Sequence, residues 1–274
     1  LSFEFVVSQG RVADRSAGAI KGAELAAGAI QHKTGLIPLI VGTPSPPSCD
    51  DWTDSLPAAR RTLDALQKAT IAIFARGNRP LIVANTCSAS LATLPVLAEH
   101  HPDAVVLWID AHGDFNTPDT TASGYLGGMV LAAACGRWDS GLGKGIRPAQ
   151  VLIAGARDID TLEAEHLQEA GVQVLSPAQT QPQTIRQMIG KAPIWIHIDW
   201  DVLEPGFVPA AYAIADGLLP ATLRDILQAI PRDQIVGVEL TEFEASQDDS
   251  ENASYLAHLL DIVSPLLPST AIAA

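Results

Sequence analysis

Cysteine, aromatic and basic residues are all scarce in this chain of 274 residues. Three cysteines, Cys49, Cys87 and Cys135, are too few and too odd a set for a disulfide framework. That excludes a small secreted scaffold stapled by bridges and leaves the cytoplasm as the expected compartment. Lysine and arginine number 17 against 31 aspartates and glutamates, a formal net charge of −14. So acidic a chain is not built chiefly for nucleic acid or an anionic membrane surface. No apolar run approaches the roughly 20 residues that span a bilayer. The first residues show no basic stretch followed by an apolar one, so no signal peptide is expected. Internal repeats, low-complexity tracts and anything resembling an interdomain linker are also missing, and the Pro-rich stretch 43–49 reads as a loop.

The chain is 47% hydrophobic and 18% charged, the composition of a well-buried globular protein. Short runs rich in branched apolar residues predict strands at about 3–7, 37–41, 80–84, 104–109, 151–155, 172–175, 194–199 and 235–240. Helical spacing lies between them, as in 56–76, 88–99, 160–170, 220–230 and 251–265. Strands apolar on both faces, alternating with helices, imply one doubly wound α/β domain over 1–274 with a parallel sheet covered on both sides. Function on such a sheet belongs at the carboxyl ends of the strands.

The acidic residues gather there. Asp110, His112 and Asp114 follow the apolar run Ala104-Val-Val-Leu-Trp-Ile109 and are spaced by two, which puts them on one side of an extended chain. Asp199 and Asp201 follow Ile194-Trp-Ile-His-Ile198 with the same spacing. Two strand ends that deliver carboxylates to one place describe a site for divalent cations, since buried acids without counter-charge are very costly. Cys87 follows the strand at 80–84, and Arg157, Asp158 and Asp160 follow that at 151–155. Glu239, Glu242 and Glu244 close the last strand, where alternation would put them on one face. Arg157 with Asp158 reads as an internal ion pair, His197 as a hydrogen-bonding partner of a ligand, and Cys135 as core packing on an apolar helix.

The strings Asp110-Ala-His-Gly-Asp-Phe-Asn116 and Ile198-Asp-Trp-Asp-Val-Leu-Glu-Pro-Gly-Phe-Val-Pro209 resemble the two signature motifs of the arginase–agmatinase (ureohydrolase) family. The resemblance implies a three-layer α/β/α fold with an eight-stranded parallel sheet. It also implies a site for two Mn²⁺ ions per chain that hydrolyses linear guanidino groups through a bridging hydroxide. It makes Asp110 and Asp199 the carboxylates shared by both metals. Asp114 then belongs to one ion, and His112 and Asp201 to the other. Glu242 aligns with the glutamate that binds the guanidino group. Asn116, Ser123 and Asp160 align with positions that hold the α-amino and α-carboxylate groups of an amino-acid substrate. Family members are commonly trimers or hexamers, which leaves a homo-oligomer open.

Two departures bear on the substrate. Where the family has a histidine ligand, this chain has Cys87, in Ala84-Asn-Thr-Cys87-Ser; sulfur is softer than Mn²⁺ prefers. Where the family has a proton-shuttling histidine, this chain has Gly127, in Ser123-Gly-Tyr-Leu-Gly127-Gly, which reads as an empty space beside the metals. Together they resemble family members that act on Nω-hydroxy-L-arginine in antibiotic biosynthesis, giving hydroxyurea and L-ornithine. An N-hydroxylated guanidine is less basic and needs more room. Open alternatives are another ureohydrolase (arginase, agmatinase, guanidinobutyrase or formiminoglutamase type), a zinc deacetylase of the same fold, and a non-catalytic member with a degraded metal site.

Overall fold

In chain order, the computed structural model, which describes residues 2–268, runs β1 (Phe3–Ser8), α1 (Gly18–Thr34), β2 (Leu39–Val41), α2 (Trp52–Ala75), β3 (Arg79–Val83), α3 (Ser90–His100), β4 (Val105–Ile109) and α4 (Val130–Ala134). It continues through β5 (Val151–Ala154), α5 (Thr161–Ala170), β6 (Gln173–Leu175), α6 (Pro182–Ile189), β7 (Ile194–Asp199), α7 (Pro220–Ala229), β8 (Ile235–Thr241) and α8 (Asp249–Val263). Each strand expected from the apolar runs is present within two residues. Two helices have weak sequence signals. The buried stripe of α1 is made mostly of alanine and glycine (Ala19, Gly22, Ala23, Ala26, Ala27, Ile30), and α6 has only eight residues.

The eight strands form one parallel sheet in the order β2-β1-β3-β8-β7-β4-β5-β6. Side chains alternate between two apolar layers. Val6, Ile82, Val106, Trp108, Ile153 and Trp195 face α2, α3 and α4. Val7, Leu81, Leu107, Ile109, Ile196 and Leu240 face α1, α6, α7 and α8. This is the expected α/β/α sandwich, and burial on both faces is why the strands read as continuous apolar runs rather than alternating ones.

Register positions the site. Val83 of β3 pairs with Leu240 of β8, Leu240 with Ile198 of β7, Ile198 with Ile109 of β4, and Ile109 with Ala154 of β5. The five central strands therefore end level, and the chain leaving each one enters the same space. Cys135 caps the end of α4 rather than lying within it, because that helix has only five residues.

Candidate metal centre

Asp110 is the first residue beyond β4 and is fully buried. Its Oδ2 accepts from the Trp108 indole N–H at 2.9 Å, and its Oδ1 accepts from the His112 backbone N–H at 2.7 Å. Asp199 ends β7 and accepts from the Asp201 N–H at 2.8 Å, while Asp201 accepts from the Ala111 N–H at 3.1 Å. The last of these bonds ties the end of β4 to the end of β7. The His112 ring puts Nδ1 2.9 Å from Asp201 Oδ2 and 3.4 Å from Asp110 Oδ1.

Three overlapping groups of donor atoms result among the described residues, each confined within 4.8 Å: Asp110, His112 and Asp201; Cys87, Asp199 and Glu242; and Cys87, Asp110 and His197. Asp114 stands beside them with a positive φ of 48° and a buried Oδ2 that has no partner among the described residues. Five buried carboxylates (Asp110, Asp114, Asp199, Asp201, Glu242) thus gather beside two imidazoles, those of His112 and His197. Burial, compounded by neighbouring carboxylates, pushes Asp114 and Asp199 well above the usual carboxylate range and Asp201 to about 6. Burial also opposes charge on Asp110 and His112. Their mutual hydrogen bond and opposite charges, joined by the Asp201 hydrogen bond and charge at His112, together outweigh it, so Asp110 is held low and His112 high. Orphaned carboxylate oxygen, clustered hard donors and a deficit of positive charge are what divalent cations correct, and the residues fit such ions.

Cys87 is buried at the start of the turn after β3. Its Sγ lies 3.2 Å from Asp199 Oδ2, 3.2 Å from His197 Nε2 and 3.2 Å from Thr241 Oγ1. Burial and the carboxylates around it push the thiol up, so without a cation it stays protonated and donates to Asp199. His197 meets Cys87 through Nε2, within the donor group that includes Asp110. It stacks on Trp108 at 3.4 Å between centroids and points Nδ1 at Glu239, 3.1 Å away, which also accepts from Ser90.

Three expectations change. Glu239, Glu242 and Glu244 do not share a face: the backbone turns at Glu242 with φ 64°, leaving Glu239 under His197, Glu242 in the site and Glu244 bonded to Ser16. The Arg157–Asp158 ion pair is not found among the described residues. Arg157 instead donates to the backbone carbonyls of Asp201, Val202, Leu203, Ile214 and Ala215, while Asp158 Oδ2 faces His112 Nε2 at 3.5 Å. Nor is the space above Gly127 empty, for the ring of Tyr125 stands in it.

A cavity of about 250 Å³ opens over the carboxylates. Asn116, Ser123 and Asp160 all line it, and Asn116 Oδ1 is buried without a partner among the described residues. Glu242 accepts from the Cys87 N–H at 2.9 Å and from the Tyr125 hydroxyl at 3.1 Å. The cavity also holds Arg15, Glu163 and Tyr212, which no motif signals. Glu163 reaches in from α5 to accept the Phe115 N–H at 2.8 Å, and burial pushes it up to about 7. A lone glutamate on an amphipathic helix carries no such sign in the sequence.

The sequence profile described as the arginase family matches residues 21–262. Over 98% of its length the chain is 51% identical to the N(omega)-hydroxy-L-arginine amidinohydrolase of Streptomyces lavendulae, covering 98% of that protein. An arginase of Eremothecium gossypii is 28% identical over 68% of this chain and 50% of its own. Among solved structures, arginase from Bacillus subtilis superposes with a TM-score of 0.82 at 20% identity, covering 99% of this chain and 100% of that one. The proclavaminate amidino hydrolase of Streptomyces clavuligerus does so at 0.72 and 22%, covering 97% of this chain and 90% of that one.

Proposed function

The chain belongs to the arginase family, and from that premise we propose that it hydrolyses Nω-hydroxy-L-arginine to hydroxyurea and L-ornithine with two Mn²⁺ ions. The observation that carries the substrate is the 51% identity, across nearly the whole of both chains, to a hydroxyarginine amidinohydrolase. The unusual thiol at the metal site accords with it.

In this reading Cys87, Asp110, Asp114 and Asp199 would hold one ion, and Asp110, His112, Asp199 and Asp201 the other. Divalent ions there would supply a water nucleophile ionised near neutral pH and positive charge for the transition state. The chain does the rest. Glu242, whose Oε2 has no donor among the described residues, accepts a guanidino N–H and sets the carbon over the carboxylate cluster. Asn116, Ser123 and Asp160 hold the amino-acid end, so a decarboxylated amine would lose those contacts. Asp158, facing His112 Nε2, holds that ring in the tautomer that leaves Nδ1 toward Asp201. A single domain over 1–274, a cytoplasmic location suited to unpaired thiols, a role in antibiotic biosynthesis and a homo-oligomeric state complete the reading.

The test is a substrate panel with Mn²⁺-loaded protein covering hydroxyarginine, arginine, agmatine and formiminoglutamate. Hydroxyarginine is expected to have the highest kcat/KM. Faster turnover of L-arginine would sink the proposal, and trace metal after loading would favour a non-catalytic protein.

A further inference from the structure

A Cβ built on Gly127 would stand 2.4 Å from Cε1, 2.9 Å from Cζ and 3.1 Å from Cδ1 of Tyr125. The missing side chain at 127 is therefore what admits the Tyr125 ring, because no L-residue with a Cβ leaves room for it. The ring is fixed from other sides as well. The Arg15 guanidinium lies over its face, 4.9 Å from the centroid, and the Tyr212 ring tilts against it at 5.3 Å. So placed, the phenol hydroxyl donates to Glu242 Oε1 at 3.1 Å, the same oxygen that takes the Cys87 N–H at 2.9 Å.

This changes what Glu242 offers a substrate. With two protein donors on Oε1, only Oε2 remains free. A guanidinium cation is held best by both carboxylate oxygens at once, through two parallel N–H bonds. A hydroxyguanidine is less basic, has lost one N–H to the hydroxyl group, and carries an O–H that needs an acceptor. The lone pairs on Tyr125 Oη supply one beside the free Oε2.

Resting on the proposed hydroxyarginine hydrolysis, we propose that Tyr125, seated by Gly127, is the specificity-determining residue of the guanidino end: it restricts Glu242 to one oxygen and gives the substrate's N–OH group a partner, favouring an N-hydroxylated guanidine over arginine. Gly127 acts only through Tyr125.

The test uses full-length Mn²⁺-loaded protein and steady-state kinetics on Nω-hydroxy-L-arginine and L-arginine for wild type, Tyr125→Phe, Tyr125→Ala, Gly127→Ala and the double variant Tyr125→Ala/Gly127→Ala. Loss of one hydrogen bond in Tyr125→Phe should lower kcat/KM for hydroxyarginine about tenfold while leaving arginine unchanged or improved. The loss should fall mainly on KM, since the contact binds rather than reacts. Gly127→Ala should reproduce it when Tyr125 is present and add nothing in the Tyr125→Ala background. Thermal melting separates these effects from misfolding, and Tyr125→Phe keeps the ring if the alanine variants melt early. Equal effects of Tyr125→Phe on both substrates would overturn the inference, as would an undiminished cost of Gly127→Ala without Tyr125. In either case wild-type hydroxyarginine turnover would leave the proposed function standing. A wild type inactive on hydroxyarginine would fail both.

Discussion

The thiol of Cys87 is the residue on which the metal reading turns. It is packed among Asp199, His197 and Thr241 at 3.2 Å each, in surroundings that hold it protonated until a cation arrives. Replacement by alanine leaves the site nearest Glu242 short of a ligand, and metal content by mass spectrometry should fall from about two ions per chain toward one. Two tightly held ions in that variant would dismiss Cys87 as a ligand. Cys87→His restores a harder donor: metal content is expected to persist and the ratio of arginine to hydroxyarginine activity to rise. Asp114 and Glu242 belong at this scale too, since both adopt left-handed backbone that non-glycine residues rarely accept. Such strain persists where surrounding structure over-determines it, as the level ends of β4 and β8 do here.

At the scale of elements, helix α1 presses directly on the segment that follows Glu242. A Cβ at Gly22 would fall 1.7 Å from the Phe243 carbonyl oxygen, and Ala245 N–H donates to Gly18 O at 3.0 Å. Gly22→Ala must push helix and segment apart, with a destabilisation of about 1–3 kcal/mol by denaturant unfolding and a raised KM as Glu242 moves. Gly28, six residues further along the same helix and exposed, has nothing among the described residues within 4 Å of a built Cβ. Gly28→Ala should stabilise by about 0.5–1 kcal/mol and leave KM alone. Similar outcomes for the two variants would mean that α1 does not set the Glu242 segment.

Over the whole molecule the buried carboxylates tie stability to pH and metal. Glu163, pushed up to about 7, binds a proton more tightly folded than unfolded. Its stabilising contribution is therefore present at low pH and is lost as pH climbs from about 4.5 through 7. Asp201, raised to about 6, acts in the same direction. Metal-free protein should melt at progressively lower temperature across that window, and Glu163→Gln should flatten the slope. On the proposed two-ion reading, Mn²⁺ would remove the penalty on its ligands and add mass-action stability, about 2.7 kcal/mol per site at a hundred times Kd. The rise in Tm on adding Mn²⁺ should hence be larger at pH 7.5 than at pH 5; a rise independent of pH would argue against coupled carboxylate ligands.

Local information was enough wherever chemistry and periodicity lie along the chain. Apolar runs covered on both faces marked all eight strands, and spacing by two at 110–114 and 199–201 marked the carboxylates, although the chain brings Asp114 and Asp201 in from left-handed backbone and a 3-10 turn rather than from extended strand. Those features depend on near neighbours and need no knowledge of the fold. Tertiary structure decided what depends on contacts across the chain. Strand order made five strand ends level, and a turn at Glu242 separated it from Glu239. Arg157 found carbonyls in place of Asp158, and Glu163 and Arg15 arrived from distant elements. The site's particular shape is of this second kind. A glycine at 127 reads as vacancy in the sequence, since a missing side chain says nothing of what enters the space. Close packing supplied the occupant, Tyr125, whose ring fits only where no Cβ stands.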